Sequence, residues 1–309
     1  MSASFVPALA AARDAAGSQH YPQGALYVVA TPIGNLADIS LRALHLLQLA
    51  DVVACEDTRH TQALLRAYGI DKAPAQLLAL HQHNEQEAAQ AVVARLLQGQ
   101  RVAYASDAGT PAVSDPGARL VSAARGAGLR VIPLPGASSI TAAISVAGAH
   151  DRDDGGFVFA GFLPAKAGER DAAVQLLARE ARPVVLLEAP HRVEALARAL
   201  AVLGGRPVTV GRELTKQFEE VVTLACEALP AWLGAEPQRT RGEFALVLHA
   251  TEQPQKAQDE GLRVLQLLLK ELPLKGAVKL AAEITGASRN ELYEAALKLK
   301  GMDSGSRPQ

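Results

Sequence analysis

The sequence predicts an α/β protein of two α/β domains, a parallel sheet followed by a mixed one, with a small helical domain at its carboxyl end. Three observations predict it. Short β-branched runs alternate with helical periodicity through the first half, as in βαβ units. These strands are almost continuously apolar, which fits a sheet covered on both faces. Around residues 207–250, consecutive strands lack long helices between them, so part of the second sheet is expected to be antiparallel.

The opening "MSASFVPALAAARDAAGSQHYPQG" has no basic segment ahead of its apolar stretch, so residues 1–23 read as a flexible leader and not as a signal peptide. The first domain spans 24–150. "LYVVA" (26–30) leads to the helix "DISLRALHLLQLA", and "VVACED" (52–57) leads to "HTQALLRAYG". "QLLAL" (76–80) precedes the helix "NEQEAAQAVVARLLQG", while "RVAYASD" (101–107) and "RVIPLPG" (130–136) complete the sheet. "GAHDRDDGG" (148–156) breaks the pattern and marks a boundary. The second domain, 155–250, takes its strands from "FVFAGFLP", "PVVLLEAP", "PVTVGREL", "EEVVTLACEALP" and "GEFALVLHA", with helices near 168–180 and 191–203. After the polar linker "TEQPQKAQ" (251–258), residues 258–309 form three short helices resembling a helix-turn-helix. Ser288 and Glu291 make a capping-box pattern there, and Gly286 or Gly301 closes a helix.

Composition narrows the function. With 49% apolar and 20% charged residues, the 309-residue chain can bury real cores. Its net charge of −1 gives no global attraction to nucleic acid or acidic lipid, so an RNA substrate would need a local basic patch. Cys55 and Cys226 are far apart, lack metal-ligand spacing, and read as small buried residues of a reducing compartment. No apolar run reaches membrane-spanning length. A cytoplasmic protein without a bound metal is expected.

Ligands of open parallel sheets bind beyond the carboxyl ends of the strands, and the unusual turn chemistry concentrates there. "ATPIGNLADIS", "CEDTRHT", "HQHNE", "SDAGTPAVSDPG" and "PLPGASS" follow the five strands of the first domain. Some of these residues also have plain local roles. Pro32, Gly34 and Asn35 suit a tight turn, Asp38 and Thr58 suit helix caps, and Asp115 with Pro116 suits a helix start. Ser138 or Ser139 suits the cap of a helix that runs to Gly148, whose N–H groups could meet a ligand. Asp107 stands where a buried strand exits, Gly109 allows close backbone approach, and Pro111 withholds a donor. Such a loop suits a neutral or cationic ligand with hydrogen-bonding edges, not a pyrophosphate. No GxGxxG follows the first strand, which argues against a dinucleotide-binding oxidoreductase.

"LYVVATPIGNLADISLRAL", "CEDTRHT", "SDAGTPAVSDPG", "PLPGASS", "FAGFLP", "EAPHRV" and "RELTKQFEE" together resemble the tetrapyrrole methylase superfamily, from about Ala25 to Ala250 in unbroken order. They are most similar to its ribosomal RNA branch, which methylates a ribose 2′-hydroxyl of a cytidine in 16S rRNA of the small ribosomal subunit. The helical tail also resembles the extension of that branch. Relatives acting on precorrin or uroporphyrinogen usually spell the first and fourth loops differently, and a non-catalytic assembly factor would leave the decorated loops unexplained.

The resemblance implies S-adenosylmethionine in a cleft between the two domains and a homodimer. It places the donor on Pro32 and Gly34, on Asp107, Gly109, Thr110 and Pro111, and on Ser138 and Ser139, with Gly161, Phe162 and Pro190 from the second domain. Transfer to a weakly acidic hydroxyl calls for a base, or for a cation beside the developing alkoxide. Charged residues at the strand ends are the candidates, and Glu56, Arg59, His83, Glu213 and Lys216 are expected on the acceptor side. Lys270, Lys275, Lys279, Arg289, Lys298 and Lys300, with Arg182, Arg192 and Arg206, are candidate phosphate partners.

Overall fold

Regular structure begins earlier than the sequence suggests. Within the segment read as a flexible leader, Val6–Ala16 forms helix α1, with a proline in its first turn where the missing N–H costs nothing. Ala12 and Ala16, four residues apart on one face, are buried against α2 (Leu41–Leu49). Phe5 meets Tyr68 edge-on, with ring centroids 5.3 Å apart. Small side chains let the two helices approach closely, and this packing overrides a weak local signal. The computed structural model describes residues 5–81, 84–113, 117–149, 156–251 and 256–303. The chain divides into the units Met1–His249 and Ala250–Gln309.

The first sheet contains β1 (Ala25–Val29), β2 (Val52–Cys55), β3 (Leu77–Ala79), β4 (Val102–Ala105) and β5 (Arg130–Leu134). All are parallel, in the order β3-β2-β4-β1-β5. Alternate residues of each strand enter opposite cores. Tyr27, Val29, Val53 and Ala103 join α1 and α2 on one face, while Leu26, Val52, Ala54 and Tyr104 meet α4 (Glu85–Leu97) and α5 (Ala118–Gly126) on the other. α3 (Thr58–Ala67) links β2 to β3, and α6 (Ser139–Ala147) follows β5. Because β1 lies between β4 and β5, the loops leaving these three strands are neighbours at the point where the winding reverses.

The second sheet is mixed, as the missing helices require. β6 (Val158–Gly161) runs parallel to β7 (Val184–Glu188). β8 (Pro207–Arg212), β9 (Glu220–Ala225) and β10 (Phe244–Leu248) give the order β6-β7-β10-β8-β9, with β10 antiparallel to both its neighbours. β10 comes last in sequence yet is central and wholly buried. α7 (Ala167–Leu177), α8 (Val193–Leu200) and α9 (Leu229–Gly234) cover one face. The other receives α6, whose Ala143 and Ala147 pack with Val185, Ala245 and Val247. That shared core also includes Ile33 and Leu214, and it joins the two domains beside their loops.

In the second unit, α10 (Lys256–Leu268), α11 (Leu274–Thr285) and α12 (Arg289–Asp303) enclose Leu265, Val278, Ala281, Leu292 and Ala296. Gly286 ends α11 in the left-handed conformation, φ 72°, whereas Gly301 falls inside α12. No helix among the described residues is long and apolar enough to cross a membrane.

Candidate active site

Three loops of the first domain are stitched together by main chain and short hydroxyls. The Thr31 N–H donates to the Gly109 carbonyl at 2.9 Å, and the Gly109 N–H returns a bond to the Thr31 carbonyl at 3.1 Å. The Thr31 hydroxyl donates to Ser106 O at 3.2 Å, and the Thr110 hydroxyl donates to Ala137 O at 3.1 Å. Glycine permits these approaches. Gly109 has φ 81°, and a Cβ on Gly136 would stand 2.9 Å from that of Ala30.

Asp107 emerges from β4 beside this clip. One carboxylate oxygen, Oδ1, is buried with no hydrogen-bond partner among the described residues. A buried acceptor left unmade is costly, so a donor from elsewhere would stabilise it. Its backbone N–H donates to Glu56 Oε1 at 3.3 Å, which places Glu56 behind the loop. At the start of α6, Ser138 occupies the N-cap position, but its side chain makes no capping bond.

The cleft between the domains encloses a cavity of about 280 Å³. Ile33 and Ser139 line it from the first domain, and Phe162, Glu188, Pro190, Leu214, Glu243 and Phe244 from the second. Ser139, Phe162 and Pro190 are thereby brought together. Gly161 ends β6 with φ 66°, placing Phe162 half-exposed at the cavity wall. Pro32 and Gly34 flank Ile33 in sequence. Thr110 is tied to the loop before α6, and Pro111 follows it in a turn. The cavity is mainly apolar with a few polar groups, the usual character of a small-molecule site.

The loop after β8 closes onto the same edge. A Cβ on Gly34 would fall 2.3 Å from Lys216 Cγ, so the first loop lies directly on this lysine. Lys216 Nζ donates to Glu213 Oε1 at 2.8 Å and to Glu243 Oε2 at 3.1 Å, and the Glu243 N–H donates to Glu213 Oε1 at 2.9 Å. Burial pushes the Glu213 carboxyl upward. The bonds from Lys216 and from the Glu243 N–H, with the charges of Lys216 and Arg212, outweigh it and leave the group below its ordinary range. Burial likewise lowers Lys216, but its two carboxylate partners prevail and raise it. Glu213 and Thr215 take positive φ, 51° and 69°, unusual for side-chain-bearing residues and a mark of local strain.

Other candidates lie elsewhere or serve the fold. Arg59 has a side chain 91% exposed, paired with Asp57 at 3.2 Å. Asp57, and not Thr58, caps α3 by accepting from the Arg59 and His60 N–H groups. Ser40, and not Asp38, caps α2. His83, Asp115 and Pro116 lie outside the described residues. At the start of α5, Glu85 accepts from the N–H groups of Gly117 and Arg119. Three candidate phosphate partners are engaged internally. Arg206 donates to the carbonyls of Leu177, Glu180, Arg182 and His249, Arg182 pairs with Glu180, and Arg192 pairs with Glu188. Among the described residues, no three His, Cys, Asp or Glu side chains converge as a metal site.

Residues 25–230 match the family model of Tetrapyrrole (Corrin/Porphyrin) Methylases. The chain belongs to this family. Residues 255–300 match the RsmI C-terminal HTH domain. The Ribosomal RNA small subunit methyltransferase I of Escherichia coli O157:H7 is 46% identical, the alignment covering 90% of this chain and 96% of that one. The protein of the same name from Pseudomonas aeruginosa is 46% identical, over 90% and 98%. Within the tetrapyrrole methylases, this chain therefore falls in the small subunit methyltransferase I branch. Among solved structures, a cobalt precorrin-4 methyltransferase superposes with a TM-score of 0.54 at 20% identity, covering 74% of this chain and 98% of that one. Uroporphyrin-III C-methyltransferase from Thermus thermophilus gives 0.52 at 21%, covering 74% and 94%.

Two acidic residues at this cavity carry no role in the motif reading, although Glu188 opens "EAPHRV". Glu188 ends β7 almost wholly buried in the cavity wall, and Glu243 immediately precedes β10. The signal that could have found Glu188 is the one that found Asp107, a carboxylate at the exit of a buried strand. Segments 31–38, 106–111 and 133–139 contain neither lysine nor arginine. Together with the orphaned Asp107 oxygen, that fits a donor bearing a sulfonium and an ammonium better than a phosphate-rich ligand.

Proposed function

We propose that this chain uses S-adenosylmethionine to methylate the ribose 2′-hydroxyl of a cytidine in 16S rRNA of the small ribosomal subunit, acting in the cytoplasm as a homodimer. The observation that carries the reading is the glycine-clipped, lysine-free set of loops with a buried carboxylate oxygen still open, in a chain 46% identical to proteins named Ribosomal RNA small subunit methyltransferase I. A structural neighbour of the same fold is described as complexed with S-adenosyl homocysteine, which supports the choice of donor. The match of the helical unit to the RsmI C-terminal HTH domain favours RNA over a tetrapyrrole as acceptor.

The bound donor would supply an activated methyl group and a positive charge. Pro32, Gly34, Gly109, Thr110 and Pro111 shape its wall, Asp107 accepts from its polar hydrogens, and Ser138 and Ser139 offer the start of α6. Gly161, Phe162 and Pro190 complete the enclosure from the second domain. Attacking oxygen, methyl carbon and sulfur must lie in line, so positioning alone supplies up to roughly 7–11 kcal/mol. On the acceptor side, Lys216 keeps its proton and so acts as a fixed positive charge beside the hydroxyl oxygen, while Glu213 holds it in place. Glu56, Arg59 and His83 are the acceptor-side candidates of the first domain, histidine being the side chain whose ordinary pKa suits proton removal.

The test incubates labelled donor with small subunits lacking the modification, or with precorrin, and follows the RNA by mass spectrometry. A 14-Da gain on a cytidine ribose is expected; label on the tetrapyrrole instead would overturn the reading.

A further inference from the structure

A second pocket lies at the opposite end of the first sheet. It opens where α1 ends and β4 begins, has a volume of about 570 Å³, and is lined by Gln19, His20, Tyr21, His45, Leu49 and Arg101 among others. These are the amino-terminal ends of the strands, so the length of β1 separates this pocket from the donor cleft, roughly 16 Å at ordinary strand rise.

Arg101 Nε donates to Tyr21 O at 3.0 Å, which fixes the side chain in the pocket wall. Arg130 opens β5 beside Ala25, and Arg101 and Arg130 both act on the buried Tyr27 hydroxyl between them. Arg13 of α1 acts on His45, whose ring is held below its ordinary range by burial and then by that guanidinium. His45 Nδ1 is buried without a hydrogen-bond partner among the described residues. None of Arg13, Arg101 and Arg130 forms an ion pair with a described carboxylate. The Asp51 carboxylate is engaged by the Arg101 backbone N–H at 2.7 Å. In a chain of net charge −1, Arg101 in the pocket wall, with Arg13 beside the lining residue Gly17 and Arg130 at the start of β5 opposite Ala25, gives a local concentration of positive charge.

We infer that this pocket holds a backbone phosphate of the RNA substrate, with its nucleotide, while the target ribose occupies the cleft at the other end of the sheet. The inference rests on the RNA reading above. Guanidinium forks match phosphate oxygens in pairs, and His20 with Gln19 offers further donors at the rim. The volume suits a nucleotide better than a lone anion. An RNA packed in a ribosomal particle is large enough to touch both ends, and a porphyrin-sized acceptor is not. Arg13 comes from α1, which precedes the residues matched by the family model.

The test compares wild type with the double variant Arg13→Gln/Arg130→Gln and, separately, with Arg101→Lys, which keeps the charge but loses the fork. Binding of full-length protein to a fluorescent 16S rRNA fragment is followed from 50 to 200 mM salt, with donor affinity measured by calorimetry as the check on folding. The double variant is expected to bind RNA about tenfold more weakly. Its log–log salt slope should be shallower by about 1 to 2, as for one or two lost phosphates. Arg101→Lys is expected to lose several-fold, and donor affinity to stay at the wild-type value in both. Wild-type RNA affinity and slope in the double variant would overturn the inference, whatever becomes of the donor reading. So would calorimetric binding of ADP or inorganic phosphate that is lost in the variants while RNA binding is not, because the pocket would then serve a free phosphate compound.

Discussion

In the first domain the strand-end loops beside the cleft are tied through main-chain groups: Thr31 and Gly109 exchange backbone bonds, the Thr110 hydroxyl meets the Ala137 carbonyl, and Gly136 presses on Ala30. In the second the strand ends beside the cleft carry ion pairs, with Lys216 clasped by Glu213 and Glu243, and Glu188 facing Arg192. Backbone bonds between glycine-rich turns neither titrate nor feel salt, and they suit the proposed donor, which must be held identically at every turnover. Ion pairs can be tuned by what approaches them, and they suit the side on which a large acceptor must dock and leave.

The greatest effect should come from breaking the main-chain half. Gly109→Val places a branched side chain at φ 81° and against Ile33, a strain of about 1–3 kcal/mol. Donor affinity measured by calorimetry is expected to fall by about 30- to 100-fold, as the clip to Thr31 opens. Asp107→Asn, which keeps the shape, should cost about tenfold in donor affinity with the melting temperature unchanged; wild-type affinity would remove Asp107 from the donor wall.

On the charged half, Glu213→Gln is expected to lower stability by about 1–2 kcal/mol at neutral pH and to slow methyl transfer about fivefold. The folded Glu213 sits below its ordinary value, so its stabilisation is complete above about pH 4.5 and is lost as pH falls through the depressed value. Lys216 is raised, so its share is complete below about pH 10.5 and is lost as pH climbs through the raised value. Urea unfolding should therefore show a gap between wild type and variant that is flat from about pH 5 to 10 and closes in acid. Arg59→Ala should have the smallest effect, with no measurable change in melting and a few-fold loss of transfer, because its side chain meets mainly solvent and its own helix cap.

Much of this contrast was legible in the sequence. Asp107, Gly109 and the run "SDAGTP" stood out because a buried strand rarely ends in such costly turn chemistry, and the parallel sheet followed from its alternating periods. What stayed hidden depended on distant partners. Nothing local shows that β10 inserts between β7 and β8, or that Lys216 rests on Gly34, 182 positions earlier. Caps were misassigned by one or two positions because Asp38, Ser40, Asp57 and Thr58 all have side chains able to cap, and only the backbone angles choose among them. α1 was missed because its buried face is alanine, which carries little hydrophobic signal until α2 stands opposite.

The late arrival of β10 at the middle of its sheet bears on how the molecule is made. As the chain leaves the ribosome, the first domain can settle on its own, whereas β7 and β8 wait with bare, apolar edges until residues 244–248 emerge. A nascent chain stalled near residue 240 should therefore be prone to clumping or to capture by chaperones, and release of only a few more residues should bring protease resistance in one step.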